Sequence, residues 1–283
     1  AARTSTLRLR ATDRHRRYEK QMENWSDRNQ QRAVRLSIMF WLSVLLTSVL
    51  VCAVGLSELV PIWISVPAGL ATFGVVAWSS KEAERRLIAG CGETEVATDS
   101  YPRLENLVDG LCLTTGISPP EVRVLRSPAR NIAAVGRLPH KSTLLVTAGL
   151  LENTSRIELE AALANRIAQI ANYRVAVIST TLSTFCLTLG SSRFRVQPFL
   201  LLDLLTRGRL TSDLETSNDF YGDSAGVAVT RYPPGMIEAL EVFENQHHLP
   251  EVDPITAPLW LVDPSNAGEQ PSIQARIASL REM

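Results

Sequence analysis

The stretch "LEAALANRIAQIANYR", Leu159 to Arg174, decides how the chain is read. It predicts a helix, and on it Asn165, Arg166 and Gln169 share roughly one face, because residues four apart are neighbours there. Ser155, with Glu158 three residues on, forms a capping box that starts the helix. An amide, a guanidinium and a second amide at that spacing make an unusual polar cluster on an otherwise apolar helix, and the rest of the sequence has to explain them.

The chain has 283 residues and a formal net charge of zero, which removes any global bias toward nucleic acid. Charge is nevertheless distributed unevenly. The first 35 residues carry ten Lys or Arg (Arg3, Arg8, Arg10, Arg14, Arg16, Arg17, Lys20, Arg28, Arg32 and Arg35) against Asp13, Glu19, Glu23 and Asp27. Cys52, Cys91, Cys112 and Cys186 are scattered without CxxC spacing, so neither a disulfide framework nor a thiolate metal site is indicated. His247 and His248 are adjacent, and on a helix adjacent side chains diverge by about 100 degrees, a poor metal clip.

From Leu36 to Ser57 the chain runs without a charge, long enough to cross a bilayer core, and Leu59 to Ser80 does the same after the single acid Glu58. Trp41, Trp63 and Trp78 lie near the ends of these runs. The pair predicts a transmembrane hairpin, and the long polar leader and second span argue against a cleavable signal. Basic residues precede the hairpin, and Lys81, Arg85 and Arg86 follow it, so both ends belong in the cytoplasm. Three regions are expected: a basic cytoplasmic arm (1–35), a transmembrane hairpin (36–80) and a cytoplasmic domain (81–283). Within the arm, Tyr18, Met22 and Trp25 could mark a surface helix lying on anionic lipid, or the basic charges could serve only to fix topology.

After the hairpin, Leu104, Leu107, Val108 and Leu111 mark a helix that Gly116 and the Pro119, Pro120 pair stop. Three short runs read as strands: "EVRVL" from Glu121, "NIAAVG" from Asn131 and "STLLVTA" from Ser142. Val175 to Ser192 is uncharged but marginal as a span, and "VQPFLLLDLLT" is shorter and interrupted by Asp203, so a hydrophobic hairpin at about 175–206 is expected to pack against the membrane face of the domain. Further helices are read around "GMIEALEVFENQ" and in "SIQARIASLREM", where Ile273, Ile277 and Leu280 share a face.

This order of elements closely resembles the HtpX family of membrane zinc metalloproteases. The family's capped helix carries His-Glu-x-x-His in a context like "LAHELAHIKNRD", where this chain reads "LANRIAQIANYR". By that register Asn165 and Gln169 stand at the two zinc-ligand positions and Arg166 at that of the catalytic Glu. The third ligand of the family is a Glu on a later helix. "NDFYGDSAG" puts Asp219 there and keeps an acid at Asp223. Gln270 before Pro271 replaces a His common near the family's end. The resemblance implies an α+β, mostly helical fold, with a zincin-like (gluzincin) domain and a small β-sheet behind the transmembrane hairpin.

Zinc needs imidazole or thiolate ligands and a carboxylate to deprotonate its water. Amides donate weakly, and a guanidinium cannot act as a base. A guanidinium about 5 Å from a divalent ion also repels it by roughly 6 to 7 kcal/mol at an effective dielectric of about 20. The expectation is therefore a degenerate member with no catalytic residue and no cofactor, its zinc lost. Arg166 would instead form an ion pair with Asp219 or Asp223 where the metal would sit.

Such a chain would serve as a membrane-anchored, multi-pass, polypeptide-binding, regulatory or structural subunit. Its partners would be membrane lipid and another membrane protein or polypeptide segment, with no nucleic acid. Polypeptide could add to an exposed edge strand at Asn131, Ile132, Ala133, Ala134 and Gly136. The alternative is an active zinc metalloendopeptidase of membrane protein quality control with a non-standard site, using Asp219, Asp223 and His247 or His248.

Overall fold

The computed structural model describes residues 2–54, 61–97, 101–185, 219–244, 246–265 and 272–283. Helix α1, Ala2–Val54, runs unbroken through both the basic arm and the first apolar run, as a stretch with no Gly or Pro allows. Helix α2, Ile62–Gly90, returns beside it. Both are long and apolar enough to cross a membrane, and their outer faces expose Leu42, Leu46, Leu50, Trp63, Leu70 and Trp78. Neither helix is confined to its apolar run, since α1 begins well before Leu36 and α2 ends beyond Ser80. Beyond Ser80, α2 continues and buries Ala83 and Leu87 in the domain, and Arg137 Nη2 donates to Ser80 O at 3.0 Å.

The end of the arm is also built into the domain. The Trp25 ring stacks on Tyr221 with centroids 4.4 Å apart, Asn29 Nδ2 donates to Asn172 O at 2.9 Å, and Ala33 packs with Ala176 and Val177. Trp25, read from the sequence as part of a lipid-facing surface helix, is half-buried and has one ring face against Tyr221 within the protein. The side chains of Tyr18 and Met22 lie outside those described.

The domain holds a four-stranded mixed sheet of β1 (Thr94–Val96), β2 (Glu121–Leu125), β3 (Ile132–Val135) and β4 (Thr143–Thr147), in the order β1-β2-β4-β3. β2 and β4 are parallel, and the outer pairs are antiparallel. Helices α3 (Pro102–Thr115), α4 (Ala148–Glu152), α5 (Arg156–Ala171) and α6 (Arg174–Phe185) precede α7 (Asp219–Thr230), α8 (Pro233–Phe243) and α9 (Ile273–Arg281). α3 ends at Gly116, whose left-handed φ of 71° suits a glycine C-cap.

Side chains alternate across the sheet. Ile132, Ala134, Leu144 and Val146 face the core built with Leu104, Leu107, Leu159 and Leu163, while Ala133, Val135 and Leu145 face Leu87, Ile178, Leu182 and Trp260. Burial on both faces explains why β3 and the middle of β4 are apolar without alternation. The described part of the predicted hydrophobic hairpin is α6, whose Val175, Ala176, Val177 and Ile178 are buried. The remainder of that hairpin lies outside the described residues.

A closed polar network at the candidate site

The capping box on α5 is present, with Ser155 Oγ accepting from Glu158 N and Glu158 returning to Ser155 N. From there α5 runs through the middle of the domain, against α3, α6, α7, α8 and β3. Every residue from Ala161 to Ile170 is buried, including Asn165, Arg166 and Gln169. A polar side chain there has to find its partners inside the protein.

Those partners come largely from α7, which approaches α5 closely because it carries glycines at 222 and 226. A Cβ at Gly226 would come within 2.9 Å of Asn165 Cα and 3.0 Å of Asn165 N, and one at Gly222 would strike the Gln169 amide. Across this contact Asn165 Nδ2 donates to Asp223 Oδ1 at 2.8 Å. Asn165 Oδ1 accepts two bonds, from Gln169 Nε2 at 2.8 Å and from Arg166 Nε at 3.2 Å. Arg166 Nη1 donates to the backbone carbonyl of Leu259 at 3.2 Å.

Asp223, expected with Asp219 as a partner for Arg166, is engaged by a residue that is not among the expected site residues. Arg276, on α9, forms the ion pair: Nε donates to Asp223 Oδ2 at 2.8 Å, Nη2 to Oδ1 at 2.6 Å, and Nη1 to Leu261 O at 2.7 Å. Both partners of this fork are 1% exposed. Arg166 donates to the Asn165 amide and to Leu259 O, and Asp219 and Asp223 act on it through space. Arg276 had a readable signal. It falls between Ile273, Ile277 and Leu280 on the apolar stripe of α9, where an unpaired charge has no place.

The electrostatics follow from this packing. Burial lowers the Arg166 pKa, and although Asp219 and Asp223 resist, the value falls to about 10, with Arg276 and Arg174 adding to the decrease. Arg166 therefore remains a cation at neutral pH. Burial raises the pKa of Asp219 above its ordinary value, although Arg276 and Arg166 oppose the shift. For Arg276 burial works in the lowering direction, but the Asp223 carboxylate more than offsets it and the pKa ends higher than usual.

The other expected site residues are placed elsewhere. His247 Nδ1 sits 2.7 Å from Phe243 O and His248 Nδ1 sits 2.8 Å from Pro264 O, so backbone carbonyls hold both rings. Among the described residues, no group of three or more His, Cys, Asp or Glu side chains gathers where a metal ion could be held. Gln270 lies outside the described residues.

The predicted edge strand exists as β3, but its outer edge is covered. Ala133 forms an antiparallel bridge with Trp260, and Leu261 N donates to Ile132 O at 2.8 Å. Asn131 Nδ2 donates to Val262 O at 2.7 Å, and Gly136 N donates to Ser179 Oγ at 3.1 Å. Ile132 to Val135 are fully buried. The exposed edge expected at Asn131 to Gly136 is thus occupied by the chain itself.

No family model matches the sequence. Among curated proteins, the Protease HtpX homolog of Dictyoglomus thermophilum is 30% identical over 274 residues, covering 87% of this chain and 90% of that protein. The Protease HtpX homolog of Dictyoglomus turgidum is 31% identical over 221 residues, covering 68% of this chain and 73% of that protein. Among solved structures, the crystal structure of S. mikatae Ste24p matches with a TM-score of 0.36 and 15% identity, covering 86% of this chain and 66% of that one.

Proposed function

The chain belongs to the HtpX protease family, and we propose that within it this protein is a membrane-anchored, catalytically inactive member that serves as a structural or regulatory subunit of a membrane protein assembly. In this reading Asn165, Arg166, Gln169 and Asp219 occupy the family's zinc-site positions, and the residues there bind one another instead of a metal.

The observation that carries the reading is the engagement of the Asn165 side-chain oxygen. That oxygen already accepts from Arg166 Nε and Gln169 Nε2, one bond for each of its lone pairs. The side-chain nitrogen donates to a carboxylate that is itself engaged by Arg276. A zinc ion placed among these donors would face two guanidinium cations and no imidazole or thiolate, a set that does not fit the ion. Nor does Arg166, at the position of the family's catalytic Glu, supply a base, since it stays protonated at neutral pH.

The two apolar helices would anchor the protein in lipid, with the arm and domain in the cytoplasm as the basic flanks favour. The exposed apolar faces of these helices are where another membrane protein would pack. The test is proteolysis in reconstituted membranes with casein as substrate. No cleavage above a protein-free control is expected, and chelator-sensitive cleavage that copurifies with the chain would overturn the reading. Orientation is read separately, by labelling a cysteine placed at Ala267 from outside the cell: no modification is expected, and modification would contradict the cytoplasmic placement.

A further inference from the structure

We infer that Leu259–Val262 is an intramolecular occupant of the β3 edge, sealing in cis the groove where an extended polypeptide would otherwise add to the sheet. This inference goes beyond the inactivity of the site and does not depend on it. It rests on the way the segment is held.

Strand addition binds polypeptide through backbone hydrogen bonds along an edge, with pockets for alternate side chains. Leu259–Val262 meets that description within one chain. Trp260 lies opposite Ala133 in antiparallel sense, and Leu261 N donates to Ile132 O. Three side chains then take the carbonyls of the segment. Arg166 Nη1 binds Leu259 O, Arg276 Nη1 binds Leu261 O, and Asn131 Nδ2 binds Val262 O.

Two of these three come from the polar network of the candidate site, so the groove and the network form one unit. Leu259, Trp260 and Leu261 are each 1% exposed or less. The Trp260 indole N–H donates to Thr256 Oγ1 at 3.3 Å, which satisfies its polar end. The segment carries no charge and sits between Pro258 and Pro264. Its chemistry defines what the groove accepts, an uncharged run of aliphatic and aromatic residues.

Tethering explains why a free polypeptide would be excluded. A segment attached by a short connection competes at an effective concentration of about a millimolar, so a free peptide with the same contacts loses at lower concentration. Removing the indole from the tethered copy reverses this advantage, because the free copy keeps it.

The experiment uses the full chain in detergent and a fluorescein-labelled peptide copying Ala257–Pro264. The native chain is expected to show no saturable binding up to about 100 μM peptide, below the roughly millimolar effective concentration of the tethered copy. The Trp260→Gly chain is expected to bind at least tenfold better. Equal binding by the two chains, or no gain in a folded Trp260→Gly chain, would overturn the inference. If that variant does not fold, hydrogen exchange on the native chain decides. The Leu261 amide should exchange at least ~100-fold slower than an unstructured amide, and exchange near the unstructured rate would mean an open edge.

Discussion

Replacing Arg276 by Ala removes one partner of an ion pair that is closed to solvent on both sides. Three hydrogen bonds disappear, two to Asp223 and one to the Leu261 carbonyl. Asp223 keeps the bond from the Asn165 amide, at 2.8 Å. Leaving one buried charge without its counter-ion costs about 3–5 kcal/mol. For a domain of this size a change of that order lowers the unfolding midpoint by roughly 6–20 °C. The assay is thermal unfolding in detergent followed by circular dichroism, with Asp223→Ala and the double variant alongside. Because the two side chains share one interaction, the double variant should fall short of the sum of the singles by about 0.5–3 kcal/mol. A loss below about 1 kcal/mol for Arg276→Ala, or additivity in the cycle, would refute the reasoning, since exposed pairs have such values.

Other variants test neighbouring parts of the network. Burial depresses the Arg166 pKa to about 10, so its charge is a cost over the whole range below that value, and the cost fades only as pH rises above about 10. Arg166→Met should therefore cost less than Arg276→Met in the same unfolding assay, under about 1.5 kcal/mol, the net worth of a hydrogen bond. Gly226→Ala pushes a methyl against the backbone of Asn165, which no side-chain rotation relieves, and should cost about 1–3 kcal/mol, as overpacking does. The raised pKa of Asp219 means that its contribution is favourable below the ordinary carboxylate range and is lost as pH rises through the folded value. Asp219→Asn should accordingly match the native chain in acid and be the more stable of the two near pH 7, as unfolding midpoints across pH would show.

Much of the fold was legible because its signals are local. The capping box at Ser155 and Glu158, the glycine stop at Gly116 and the three apolar strands all appear where spacing and turn chemistry put them. β1 was not read, since three residues, two of them polar, carry no periodicity. The two long helices were read as spans with ends at 36 and 80, but hydropathy registers only the apolar run. It does not register the polar turns by which α1 and α2 continue into the domain. At the site, Asn165, Arg166 and Gln169 were found on one helix because four-residue spacing is visible in sequence. Their partners were not found, because Arg276 and Leu259 lie 110 and 93 residues from Arg166 along the chain. The same limit applies to β3, whose pattern shows a strand but not that residues 260–262 cover its edge.

The measurement that bears most directly on the candidate site is zinc content per chain, by mass spectrometry of the metal after the purified protein is equilibrated with zinc and desalted. A second preparation, with Asn165→His, Arg166→Glu, Gln169→His and Asp219→Glu combined, serves as the reference, because it restores the residue types that zinc takes as ligands. The native chain should retain far less than one zinc, since the oxygen of Asn165 is committed to Arg166 and Gln169 and two guanidinium groups share the cluster. One zinc per native chain, surviving desalting, would contradict a network closed on itself.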